Sequence, residues 1–115
     1  APESEAVFNC TMKHKFALTL SYHSQGEIIY WKYLDVEPQK SREIAEYFGQ
    51  ISGYAVEETP YNSGFAGYKD WFIQYYDRPG YTIEVGLGQS PLPLTQFEKI
   101  YSDNVGILKG GITEI

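Results

Sequence analysis

The chain holds a single cysteine among 115 residues, which excludes an intrachain disulfide framework and a cysteine-rich zinc module. Positive charge is scarce. Nine Lys and Arg stand against 15 Asp and Glu, for a net charge of −6. Such a balance speaks against the broad basic surface that nucleic acid or an anionic membrane requires. No apolar run reaches the roughly 18–20 residues of a membrane span. Internal repeats and low-complexity tracts are absent too. The chain opens Ala1-Pro2-Glu3-Ser4-Glu5-Ala6, without an initiator methionine, a basic stretch or an apolar leader. A processed N-terminus and a piece of a longer polypeptide both begin this way, so the compartment stays open. What is plentiful is apolar and aromatic: 43% of residues are hydrophobic and 17% aromatic, with 11 tyrosines, too rich for a disordered chain. The length suits one unit.

Periodicity supplies the elements. Pro2 suits the first turn of a helix, and Glu3 and Glu5 complement its positive end. Val7, Cys10, Thr11 and His14 repeat at helical spacing, giving a helix over about 3–14. Residues 16–22 read as a buried strand, broken by His23-Ser24-Gln25-Gly26, and 27–31 as a short extended segment. Residues 41–52 form a helix with Ile44, Ala45, Phe48 and Ile51 on one face and Gly53 as its stop. A short strand at 54–57 and a short helix at 68–75 follow. The β-branched and aromatic run 81–86 is the second clear strand. A last helix from 94 or 95 to about 108 turns Phe97, Ile100, Tyr101, Val105 and Leu108 inward. Helices alternating with strands indicate α/β layers, helices packed on a sheet, although two good strands make a thin one.

Two strand positions carry chemistry. His23 closes the first clear strand, and Glu84 lies in the second. Strand ends of α/β sheets are where ligands bind. Each residue also has an ordinary reading, His23 as a hydrogen-bonded structural imidazole and Glu84 as a solvent-face carboxylate. Cys10 reads as a small helix-face residue and His14 as a complement to the helix dipole.

Four stretches together are more specific: Pro2-Glu3-Ser4-Glu5-Ala6-Val7-Phe8, then Leu18-Thr19-Leu20-Ser21-Tyr22-His23-Ser24-Gln25-Gly26-Glu27, then Ser63-Gly64-Phe65-Ala66-Gly67-Tyr68-Lys69-Asp70-Trp71, then Tyr81-Thr82-Ile83-Glu84-Val85-Gly86. In order and interval they resemble the C-terminal part of the zinc carboxypeptidase family (peptidase family M14). Within it, they resemble bacterial γ-D-glutamyl-L-diamino-acid peptidases that trim cell-wall peptides. The resemblance covers nearly the whole chain.

It implies the C-terminal portion of a helix-packed mixed sheet, with His23 as the third ligand of one zinc ion and Glu84 as general base. The family's first two ligands come from a His-x-x-Glu motif upstream, which this chain lacks, as it lacks the arginines that hold the substrate carboxylate. The missing N-terminal part of the catalytic domain is therefore the implied partner, and a cell-wall peptide the implied substrate. Alone, the 115 residues are expected to bind zinc weakly and hydrolyse nothing. Tyr61 corresponds to the tyrosine that covers bound substrate, with Tyr68 as the alternative. Lys69 matches the base of the specificity pocket, where an ammonium favours an acidic or zwitterionic side chain. A solvated helix turn is the competing reading of Lys69.

Two other functions stay in view. A catalytically inactive fragment would pair with its missing half or with another copy through open sheet edges. A ligand-binding module with aromatic walls would bind peptide or sugar without metal.

Overall fold

A computed structural model of the protein describes residues 1–60 and 67–114. The architecture is α/β, helices on a mixed four-stranded sheet. The elements in chain order are α1 (Pro2–His14), β1 (Thr19–His23), β2 (Ile28–Tyr30), α2 (Ser41–Ser52), β3 (Ala55–Glu57), α3 (Tyr68–Tyr76), β4 (Gly80–Glu84) and, after a 3-10 turn at Leu94–Gln96, α4 (Phe97–Thr113). The strand order is β1-β4-β2-β3. β1 and β4 run parallel, β4 and β2 antiparallel, β2 and β3 parallel. The two clear strands of the sequence thus lie side by side, and the two short extended segments widen the sheet to four.

Alternation sorts the strands into two faces. Leu20, Tyr81, Ile83, Ile29 and Val56 point one way and meet α2 and α4, forming one core with Ile44, Ala45, Phe48 and Ile107. Ile29, Phe48, Tyr81, Ile83 and Ile107 are completely buried. Each such aliphatic or phenyl side chain stabilises the fold by roughly 1.5–3 kcal/mol. Tyr81 is held besides by donating its hydroxyl proton to Ser41 O at 2.8 Å. Leu18 also packs on this core, so both clear strands share it.

α2 forms where its apolar stripe predicts. It stops at Gly53, whose φ of 81° suits a residue without Cβ and whose N–H donates to Gly49 O at 2.9 Å. α4 departs from expectation. Its inward residues are Asn104, Ile107, Gly110 and Gly111, while Phe97, Tyr101 and Leu108 are at least half exposed. Close packing, not side-chain size, sets this face. A Cβ at Gly110 would lie 2.7 Å from the Tyr47 ring, so the glycines bring α4 against α2 and turn the larger residues outward. The helix runs to Thr113, beyond the predicted end. α1 shows the same contrast: only Thr11 is buried, and Val7, Phe8 and Met12 stay exposed.

The second sheet face is polar, and α3 covers one end of it. Gly80 makes this possible, since a Cβ there would approach Phe72 to 3.2 Å. The other end, at the last residues of β1 and β4, is left for the site.

Candidate functional site

β1 and β4 end on His23 and Glu84, which are in-register partners of adjacent parallel strands. Residues so paired project from the same face, with strands about 4.8 Å apart. The loops behind them are tied together. Val85 N–H donates to His23 O and Gly26 N–H to Gly86 O, each at 2.7 Å. The hydroxyls of Ser24 and Ser90 lie 2.7 Å apart, and Ser90 donates to the Gln25 side-chain carbonyl at 3.1 Å.

In front of this pair lies a cavity of about 310 Å³. The sheet contributes Ser21, His23, Tyr30, Thr82 and Glu84, and the segments around β3 and α3 contribute Thr59, Pro60, Gly67, Tyr68, Lys69 and Asp70. His23 is exposed, and its ring has no hydrogen-bond partner among the described residues. Glu84 is half-buried, and its Oε2 is buried without a partner there. An unsatisfied carboxylate oxygen is costly, so it marks a place for a proton, a donor or a cation. Burial and, to a lesser extent, Glu57 and Glu84 raise the Tyr30 phenol above the usual tyrosine value.

Lys69 is not on a solvated turn. It is 2% exposed, and its ammonium donates to Lys32 O and Thr59 Oγ1, both at 2.7 Å, and to Asp70 Oδ1 at 2.5 Å. Burial pulls its pKa below the ordinary lysine value, while the Asp70 carboxylate pulls the other way without cancelling the effect. Asp70 also accepts the Gly67 N–H at 3.2 Å, fixing the start of α3. Tyr68 lines the cavity, but its hydroxyl is shared with Thr11 Oγ1 at 2.8 Å, where it ties α3 to α1. Tyr61 lies outside the described residues.

The zinc expectation meets an incomplete donor set. Among the described residues His23 offers an imidazole without a partner, beside the unpartnered Glu84 oxygen. Among the described residues no group of three His, Cys, Asp or Glu side chains comes together to hold a metal. The residues present therefore fit one ligand and a neighbouring carboxylate, and the other ligands would have to come from elsewhere. Cys10 and His14 sit apart on α1, with Sγ and Nδ1 3.6 Å from each other.

Of the residues lining the cavity, the sequence reading named His23, Tyr68, Lys69 and Glu84 but not Ser21, Tyr30, Thr59 or Thr82. Ser21 and Thr82 were within reach, because they stand two residues before His23 and Glu84 and so share their face. Tyr30 required knowing that β2 pairs with β4. Thr59 required the fold of the loop.

No family model matches the chain. Over 111 residues it is 42% identical to gamma-D-glutamyl-L-diamino acid endopeptidase 1 of Lysinibacillus sphaericus, covering 96% of this chain and 28% of that protein. Over 107 residues it is 40% identical to the uncharacterized protein YqgT of Bacillus subtilis (strain 168), covering 93% of this chain and 28% of that protein. The chain thus spans little more than a quarter of the length of these curated relatives, one of which is named as an endopeptidase.

Proposed function

We propose that the chain is the C-terminal part of a zinc peptidase catalytic domain of the carboxypeptidase family, and that the whole domain hydrolyses γ-D-glutamyl–diamino-acid bonds in cell-wall peptides. The observation that carries this is the in-register pair of His23 and Glu84 at one cavity, with a Glu84 oxygen left unpartnered. The named bond of the Lysinibacillus relative supports the substrate class.

In this reading His23 is one protein ligand of a zinc ion, and two more come from the preceding part of the domain. The ion would acidify water and polarise the scissile carbonyl. Glu84 Oε2 takes a proton from the attacking water and returns it to the leaving amine nitrogen, a role that needs a carboxylate without a fixed partner. The cavity receives the side chain of the diamino acid. Its hydroxyls and the buried Lys69 and Asp70 charges suit a polar, zwitterionic end better than an apolar one.

The test is hydrolysis of a γ-D-glutamyl-diaminopimelate peptide by the full-length protein, with product identified by mass. Chelation should abolish the rate and zinc restore it. An undiminished rate in chelator would refute the zinc assignment. The exposed apolar residues of α1, Val7, Phe8 and Met12, support a packing surface for the rest of the domain.

A further inference from the structure

An ammonium has three N–H donors and no acceptor. At Lys69 all three are used inside the protein, on acceptors from three chain segments: Lys32 just past β2, Thr59 just past β3, and Asp70 at the start of α3. These segments are linked further. Thr59 Oγ1 donates to Lys32 O at 3.3 Å, and the Lys32 ammonium pairs with Glu58 at 2.9 Å. Of these, Thr59, Lys69 and Asp70 line the part of the cavity that the sheet does not supply, with Pro60, Gly67 and Tyr68. The sheet side differs. The hydroxyls of Ser21, Tyr30 and Thr82 line the same cavity, and none has a hydrogen-bond partner among the described residues.

We infer that Lys69 is a positioning residue which clamps the cavity wall, and that the Tyr30 hydroxyl on the sheet is the group that hydrogen-bonds the polar end of the occupant. This rests on reading the cavity as the substrate side-chain pocket. An entering carboxylate could take an N–H from Lys69 only by displacing Lys32 O, Thr59 Oγ1 or Asp70, leaving a buried or partly buried acceptor unpaired, which is unfavourable. Tyr30 gives up no partner among the described residues to bind. Lys69, its charge already matched by Asp70, then contributes the shape of the pocket, while discrimination between end groups belongs to the hydroxyl side.

The experiment compares Lys69→Met, Thr59→Val and Tyr30→Phe in the full-length protein. Paired peptides would differ only in whether the side chain after the scissile bond ends in a polar, acid-bearing group or a methyl. Lys69→Met and Thr59→Val should lower kcat/KM for both peptides alike, moving their ratio less than about 3-fold. Tyr30→Phe should cost the polar-ended peptide about 10-fold, the worth of one good hydrogen bond, and spare the other. A Lys69→Met variant that loses only the preference for the acid-bearing peptide would overturn the inference. So would a Tyr30→Phe variant that treats both peptides as before.

A readout without turnover separates this from the functional proposal. If Lys69 and Thr59 form one clamp, the shifts in urea midpoint of Lys69→Met and Thr59→Val should be less than additive in the double variant. Additive shifts would remove the clamp even from an active peptidase. An inactive protein with the coupling intact would instead remove the peptidase reading and the Tyr30 role that depends on it.

Discussion

The two faces of the sheet are cut from the same strands and differ by one residue of phase. On one, Leu20, Tyr81, Ile83, Ile29 and Val56 are sealed under α2 and α4. On the other, Ser21, Thr82, Tyr30, His23 and Glu84 open onto a cavity. On the sealed face the Tyr81 hydroxyl donates to Ser41 O, although Ser41 Oγ and Asn104 Oδ1, on the helices packed there, have no partner among the described residues. The open face leaves its carboxylate oxygen, at Glu84, unsatisfied. Two acidic residues of the cavity sharpen the point. Asp70 is held by Lys69 and the Gly67 N–H, so it serves structure. Glu84 Oε2 is held by nothing among the described residues, which leaves it open to a donor from outside them. Alternation along a strand thus divides stability from chemistry between neighbouring residues.

The sharpest way to break this division is Phe48→Ala. Phe48 is completely buried and meets the Tyr81 ring edge-on at 5.3 Å. Its truncation should cost about 3–5 kcal/mol in urea unfolding of the full-length protein. A loss under about 1 kcal/mol would mean that the sealed face is not the main source of stability. The matching change on the open face is Glu84→Gln. It should lower turnover at least about 100-fold, the contribution of a general acid–base group. It should leave the unfolding midpoint unchanged or slightly raised, because an unpaired carboxylate in a half-buried place opposes folding. Destabilisation on the scale of Phe48→Ala would make Glu84 a structural residue instead.

Much of this was legible beforehand because period is a local property. The stripe Ile44, Ala45, Phe48 required nothing beyond helical spacing, and residues 81–86 announced a strand by composition. What stayed hidden depends on distant partners. The inward face of α4 is chosen by Gly110 and Gly111 against Tyr47 and Phe48, and no local pattern ranks two glycines above Phe97 and Tyr101. In the site, His23 and Glu84 stand out as polar residues at strand ends, but only the parallel pairing of β1 with β4 sets them side by side. Lys69 was legible as a position and not as an environment. Its three acceptors lie at Lys32, Thr59 and Asp70, two of them far off in sequence.

A smaller effect separates the faces by pH. Tyr81→Phe should cost about 1 kcal/mol at neutral pH, the net worth of its bond to Ser41 O. Burial also raises the Tyr81 phenol above its ordinary value of 10.0. The folded chain keeps a proton that the unfolded chain gives up, so this stabilisation is whole below pH 10 and is lost as pH rises toward the folded value. Lys69 has the opposite sign. Its folded value is lowered, so between that value and the ordinary 10.5 the unfolded chain binds the extra proton and stability rises with pH. Urea midpoints from pH 8 to 11 should therefore fall less steeply above pH 10 for Tyr81→Phe than for the native chain. They should rise less on the approach to pH 10.5 for Lys69→Met. Parallel curves for the native chain and both variants would remove the distinction.

The smallest expected change in stability is at His23. Its side chain is exposed and without a hydrogen-bond partner among the described residues, and the bond that secures the end of β1 runs from Val85 N–H to the His23 backbone carbonyl at 2.7 Å. Replacing the imidazole leaves that bond in place. His23→Ala should therefore shift unfolding in the presence of chelator by no more than about 0.5 kcal/mol, as for other surface substitutions. The consequence belongs to metal binding alone. If the imidazole is a zinc ligand, the full-length variant should retain less zinc after dialysis than the native protein, and zinc should raise its unfolding midpoint less. Glu84→Gln should keep its zinc, because the carboxylate is assigned to proton transfer. Full zinc occupancy in His23→Ala, or metal loss in Glu84→Gln, would exchange the two roles. A large drop in chelator-treated stability would instead make His23 a structural residue.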